Sequence, residues 1–182
     1  MKNLRLTSPR LSIRLLLKSD LQEMHALSSI PEVEKYNTLG IPEDISITKA
    51  ILKDRIVDNK IKNARILTFA IEEKGTDKFI GMFGFSFKCT RYSSAEIWYK
   101  FHPDYWNKGL ATEAVSCALD YCFDELKLHR VEAGCAIDNL GSIRVLEKAG
   151  MKHEGTHRES LPLESGWSDG HTFGILKTDK RN

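Results

Sequence analysis

Leu11, Ile13 and Leu15 alternate with Ser12 and Arg14, and the run then turns continuously apolar through Leu17. This pattern predicts a first strand over "RLSIRLLL". Ser19 and Gln22 have the spacing of a capping box, which predicts a helix from about Asp20 to Ser29, closed by Pro31. Ile47, Ala50, Ile51 and Ile56 make a helical stripe between Ile47 and Val57, and polar Asn and Lys residues lead onward from it. The segments "ARILTFAIEE", "KFIGMFGFSFK" and "SSAEIWYKF" are rich in aromatic and β-branched residues and read as strands. "EKGTDK" joins the first two as an antiparallel hairpin, and "CTRYSS" is placed to close a second. Val115, Ala118, Leu119, Cys122 and Phe123 then return to helical spacing.

"HRVEAGCAI" reads as a buried strand, and "DNLGSIRVLEKAG" as a helix with Asp138 or Asn139 at its N-cap and Gly150 as its stop. "KHEGTHRES" and "HTFGILKT" form a closing pair of strands. No repeat, low-complexity tract or linker interrupts the pattern, so one α+β domain accounts for residues 1–182.

Charge narrows the partners. The formal net charge is +2 and the cations are scattered, so neither nucleic acid nor a membrane surface is an expected partner. Arg5, Arg10 and Arg14 interrupt the N-terminal segment too often for a signal-peptide core, and no apolar run approaches the ~20 residues of a membrane helix. A cytoplasmic protein is expected. The four cysteines make no CxxC pair and read as reduced thiols, with Cys117, Cys122 and Cys135 in apolar, buried surroundings. Phe79, Phe83, Phe85 and Phe87 lack accompanying basic residues, so they read as core rather than as a base-stacking platform.

The stretch "YWNKGLATEA", residues 105–114, sits where a strand and loop give way to a helix. Gly109 and Ala111 would let an anion approach backbone N–H groups at the helix start, and Lys108 adds a full charge. A strand-to-helix turn with nothing bound is the alternative. Neither GxxxxGK[ST] nor GxGxxG occurs. "HEGTH", residues 153–157, formally satisfies HExxH, but Gly155 and Thr156 weaken a helix that Gly150 has just ended. In a strand its two histidines would stand ~13 Å apart, too far for one metal, so no metal is expected. His129 reads as structural.

The ordered series "AEIWYKFHPDYWNKGLATEA", "LHRVEA", "DNLGSIRVLEKAGM", "EGTHRE" and "GWSDG" resembles the GNAT superfamily of acetyl-CoA-dependent N-acetyltransferases. It is most similar to the RimJ/RimL-type branch, which acetylates the N-termini of ribosomal proteins. The resemblance implies a GNAT fold: a mixed, mostly antiparallel twisted sheet of about seven strands flanked by about four helices. It also implies direct acetyl transfer from acetyl-CoA to a primary amine in a ternary complex, with no metal.

By the same resemblance, Trp106 holds the first place of the loop that binds the CoA diphosphate, and Gly109 and Ala111 hold its small positions. The backbone amides of Asn107, Lys108, Gly109, Leu110, Ala111 and Thr112 would be the donors. Lys100, Phe101 and His102 match the strand whose backbone pairs with pantetheine, and Asn139 matches a residue on the pantetheine arm. Their side chains are expected to matter little in that strand, and the oxyanion donor is expected to be one of its backbone N–H groups. Glu96 matches the strand glutamate that serves as general base in several members, with a solvent-face glutamate as the alternative. Ser142 matches the serine placed on the CoA sulfur, since the position of the usual acidic tyrosine is Leu146 here. A local first-turn hydrogen bond is its alternative role.

The chain departs from the branch at Asn107 and Trp98, both usually Gly; Met151 and Phe173 replace a frequent Phe and Tyr. The favoured acceptor is a protein N-terminal α-amine. Acetylation of a small amine such as a polyamine or aminoglycoside, or a CoA-binding regulatory module without turnover, are the alternatives. A monomer or homodimer is expected.

Overall fold

The computed structural model describes residues 4–61 and 64–180. Residues 62 and 63 of the polar run before the central strands, and the first three of the N-terminal segment, lie outside the described residues. The strands are β1 (Arg5–Thr7), β2 (Leu11–Leu15), β3 (Ile66–Glu73), β4 (Lys78–Phe87), β5 (Ser94–Phe101), β6 (Arg130–Ala136), β7 (Lys152–Leu163) and β8 (Gly166–Leu176). The helices are α1 (Leu21–Ser28), α2 (Pro31–Glu34), α3 (Ile45–Asp58), α4 (Leu110–Asp120) and α5 (Leu140–Lys148). The strands form one sheet in the order β1-β2-β3-β4-β5-β6-β8-β7, in which only β5 and β6 run parallel.

Strand alternation splits the interior into two cores, one on each face. On the first face, Phe69, Phe83, Phe85, Ile97, Val131 and Phe173 meet Val115 and Leu119 of α4, Phe123 of the π-helical turn Tyr121–Glu125 that continues it, and Leu146 of α5. On the second, Ala70 and Met82 meet Leu16, Met24, Leu27 and Leu52, with Trp98 packed alongside. Burial on both faces explains why the central strands read as almost unbroken apolar runs.

The second face is not covered to its end. Glu96 lies opposite Glu132, and Gly134 opposite Thr172, so these four residues share that face, and all keep contact with solvent.

The eight strands exceed the expected seven because β1, only three residues long, carries too little pattern to read. Pro31 does not merely close the first helix; it occupies the first turn of α2, where its missing N–H costs nothing. The expected Ser19–Gln22 box is not formed. Lys18–Asp20 is a 3-10 turn, and Asp20 sits at the N-cap of α1 with its carboxylate accepting from the Leu17 N–H at 2.7 Å. Gly150, at φ 86°, ends α5 in the left-handed conformation, as the sequence predicts.

Candidate active site

The parallel register of β5 and β6 runs from Ser94–Arg130 to Ile97–Ala133 and stops, although both strands continue. Beyond that point Trp98–Phe101 stays paired to β4, and Gly134–Ala136 to β8. The strands fork, and the backbone edges facing the gap carry no ladder partner. A slender ligand can hydrogen-bond there as an extra strand would.

At the β5 end of the fork lies the loop of interest. Phe101 is buried in the core, and the Trp106 Nε1–H donates to its carbonyl at 2.8 Å. His102 accepts from the Asp104 N–H through Nδ1 at 3.3 Å, at the start of a 3-10 turn over Pro103–Tyr105. Asn107 (φ 58°) and Gly109 (φ 75°) are both left-handed, and they turn the chain into α4. Asn is among the residues that best tolerate this conformation, so the departure from Gly at 107 keeps the turn.

Gly109 is the N-cap of α4, and no side chain caps the helix. The first amides of α4, from Leu110, Ala111 and Thr112, are therefore donors awaiting an acceptor, beside the positive end of the helix dipole. Lys108 lays its Nζ over the Tyr105 ring, 5.4 Å from the centroid. Arg10, from the β1–β2 turn, donates through Nη1 to the Lys108 carbonyl at 2.9 Å.

Three side chains converge at the fork on the first face. The Tyr99 hydroxyl is 2.8 Å from Ser142 Oγ, and Asn139 Oδ1 accepts the Ser142 N–H at 3.0 Å as the cap of α5. Burial pushes the Tyr99 phenol far above its usual range, so it stays protonated. Burial likewise raises the Cys135 thiol to about 11 even though a hydrogen bond with Ser142 pulls it down. Leu146 is buried in the core and offers no donor.

On the second face, Glu96 is exposed, and among the described residues its carboxylate makes no hydrogen bond or ion pair. A Cβ built on Gly134 would stand 3.9 Å from Glu96 Oε1. The neighbouring acids are paired: Glu132 with Lys88 and Arg130, and Glu34 with Lys100 at 2.5 Å. Glu34 is 4 % exposed, and burial raises its carboxyl pKa although the Lys100 charge pulls the other way. Trp98 fills the space beside Gly84, where a Cβ would come within 2.4 Å of the indole.

The structure thus gathers Lys100, Phe101, Asn139 and Ser142 around the fork, with His102 and the loop from Trp106 to Thr112 at its mouth. Glu96 stands on the opposite face from Ser142. The Lys100 side chain, expected to matter little, is committed to Glu34. Residues 153–157 lie inside β7, so the helix face that an HExxH site needs is not there. Among the described residues no group of three or more His, Cys, Asp or Glu could hold a metal. No described helix is long and apolar enough to cross a membrane.

Two residues were missed by sequence reasoning. Tyr99 could have been found, because alternation with Ile97 and Phe101 places it on the α5 side of β5. Arg10 carried no signal, since its carboxylate partner, Glu113, is 103 residues away.

Comparison with known proteins agrees with this geometry. The family described as Acetyltransferase (GNAT) domain matches residues 10–152. The uncharacterized N-acetyltransferase YnaD of Bacillus subtilis (strain 168) is 34% identical over 174 residues, 96% of this chain and 98% of that protein. Spermidine N-acetyltransferase from Vibrio cholerae, in complex with CoA and spermine, superposes with a TM-score of 0.83 at 24% identity, covering 94% of this chain and 98% of that one. Mycobacterium smegmatis RimJ in complex with CoA-disulfide gives 0.81 at 23% identity, covering 96% and 86%.

Proposed function

Because the chain belongs to the GNAT acetyltransferase family and is an acetyl-CoA-dependent N-acetyltransferase, we propose an acceptor for it: the α-amine of a protein N-terminus. The observation that carries this reading is the charge state of the second face. Of the three acids flanking the fork on this face, Glu34 and Glu132 are already matched by the chain's own Lys100, Lys88 and Arg130, and Glu96 alone stands uncompensated, beside the exposed Gly134. A polyamine brings several positive charges and needs a row of open acids. An extended peptide brings one amine and a backbone, which suits an open floor of small residues. An α-amine, with a pKa near 8 against about 10.4 for Lys, is also far more often neutral at physiological pH. The likeness to RimJ supports this reading, and the likeness to the spermidine enzyme supports the rival one.

In the proposed mechanism the uncapped amides of 107–112 hold the CoA diphosphate and the forked edge of β5 holds pantetheine. Acetyl-CoA supplies the activated acetyl group. Glu96, directly or through water, takes the proton that the amine must lose as its nitrogen bonds to the acetyl carbon. A β5 backbone N–H beyond the fork stabilises the carbonyl oxygen as it gains charge. Ser142 donates a hydrogen bond to the sulfur as the carbon–sulfur bond breaks.

The test is thiol release from acetyl-CoA with a panel of acceptors: peptides with free N-termini, the same peptides blocked at the N-terminus but carrying a lysine, spermidine, and an aminoglycoside. Free N-termini are expected to lead by at least about tenfold in kcat/KM, and Glu96→Gln to lower kcat by about a hundredfold. Preference for spermidine, or full activity of the Gln variant, would overturn the acceptor and base assignments respectively.

A further inference from the structure

We propose that Arg10, which lies outside the recognised loop, is part of the phosphate grip, both positioning the loop and offering it a charge. The inference rests on the reading that residues 107–112 hold the CoA diphosphate.

Arg10 ties the β1–β2 turn to the start of α4 at three points. Its Nη1 donates to the Lys108 carbonyl at 2.9 Å, its Nε to Glu113 Oε2 at 2.7 Å, and its backbone N–H to Glu113 Oε1 at 2.8 Å. Ser8 Oγ adds a bond to Glu113 Oε1 at 2.7 Å. The third guanidinium nitrogen, Nη2, makes no hydrogen bond among the described residues. It lies against Gly109, 3.6 Å from where a Cβ would stand. A charged, fork-shaped donor is thereby presented beside the bare amides of the helix start, in the arrangement that favours phosphate oxygens.

The arrangement also answers an electrostatic problem. Glu113, in the first turn of α4, would repel a diphosphate bound at the same helix end. Its negative charge is met by Arg10, and its carboxyl pKa lies below the ordinary value, because the hydrogen bonds from Ser8 and Arg10 outweigh the upward push of burial. The Arg10 side chain is 52% exposed, and exposed ion pairs add little to folding stability. Its worth therefore lies in the loop it holds: the Lys108 carbonyl sits between the two left-handed residues, and anchoring it fixes both.

The experiment compares Arg10→Ala, Arg10→Gln and Arg10→Lys with the native enzyme on acetyl-CoA, on acetyl-dephospho-CoA, and on S-acetylpantetheine, which lacks the diphosphate. Titration calorimetry with CoA gives the affinity independently of any acceptor. Arg10→Ala and Arg10→Gln are expected to raise the KM for acetyl-CoA and the Kd for CoA about tenfold, with kcat within twofold. They should leave kcat/KM for S-acetylpantetheine unchanged, and Arg10→Lys should recover part of the loss. Equal losses on acetyl-CoA and S-acetylpantetheine would reduce Arg10 to a folding role and overturn the proposal. So would unchanged CoA binding, or a penalty that vanishes with the dephospho-cofactor, which would move the contact to the 3′-phosphate. Failure of the underlying loop reading would look different: the native enzyme itself would use S-acetylpantetheine as well as acetyl-CoA.

Discussion

A serine hydroxyl helps a departing thiolate only if its proton points at the sulfur, and in the proposed mechanism Tyr99 directs that of Ser142. The phenol is buried, its pKa is raised far beyond the working range, and its oxygen is 2.8 Å from Ser142 Oγ. In the proposed mechanism the protonated phenol is the donor of this pair, and the serine hydrogen turns from Cys135 into the fork. Tyr99→Phe preserves the ring and removes only this bond, worth about 1 kcal/mol. It is expected to lower kcat by roughly five- to tenfold with the KM for acetyl-CoA unchanged, since 1.4 kcal/mol is a factor of ten. Ser142→Ala should cost at least as much, and adding Tyr99→Phe to it should cost nothing more, because the tyrosine acts through the serine. Additive losses in steady-state kinetics would mean that Tyr99 works by another route.

At the scale of elements, the loop before α4 is a backbone device whose side chains are secondary. Asn107 and Gly109 hold positive φ on either side of Lys108, and this pair of reversals bares the amides of the helix start. Asn107→Gly keeps the left-handed turn, so CoA affinity should stay within about twofold of native. Asn107→Val forces a β-branched residue into a conformation costing about 1–2 kcal/mol, and the Kd for CoA should rise about tenfold by calorimetry.

Local devices of this kind were legible in the sequence. The α4 stripe, the Gly150 stop, the Gly109 turn and the β4–β5 hairpin all rest on residues close together in the chain. Short or long-range features were not. β1 and α2 have three and four residues, too few to show a period. The fork depends on where a parallel pairing between strands about thirty residues apart gives out. Lys100 is legible as a strand residue, but its side-chain partner Glu34, 66 residues away on α2, is not. The role of Ser142 rests on resemblance; alternation along β5 puts Tyr99 on the same side, but the contacts of Ser142 with Tyr99 and Cys135 appear only once β5, β6 and α5 are assembled.

Under the proposed mechanism the sheet is more than a scaffold, because it sets a cofactor side against an acceptor side, and the two meet at the fork. α4, α5, Tyr99 and Ser142 lie on the first face; Glu96, Trp98, the Lys100–Glu34 pair and the exposed Gly134 lie on the second. Substitutions should therefore separate by face in their kinetic signature, even a few ångströms apart. Gly134 is the sharpest place to ask. A Cβ there would meet the His171 carbonyl at 3.7 Å and Glu96 Oε1 at 3.9 Å, both ordinary contacts, so a Cβ is accepted without moving the strand. Valine also suits a strand better than glycine does. On the proposed mechanism Gly134→Val would leave the face of α4 and α5 untouched while placing two methyl groups beside the Glu96 carboxylate, on the path proposed for the amine. The expected result is a KM for the acceptor raised at least about tenfold, with the Kd for CoA within twofold and thermal stability equal or higher. If CoA affinity fell in step with acceptor affinity, the two faces would not be independent. The amine would then have to reach the thioester from the side of α4 and α5.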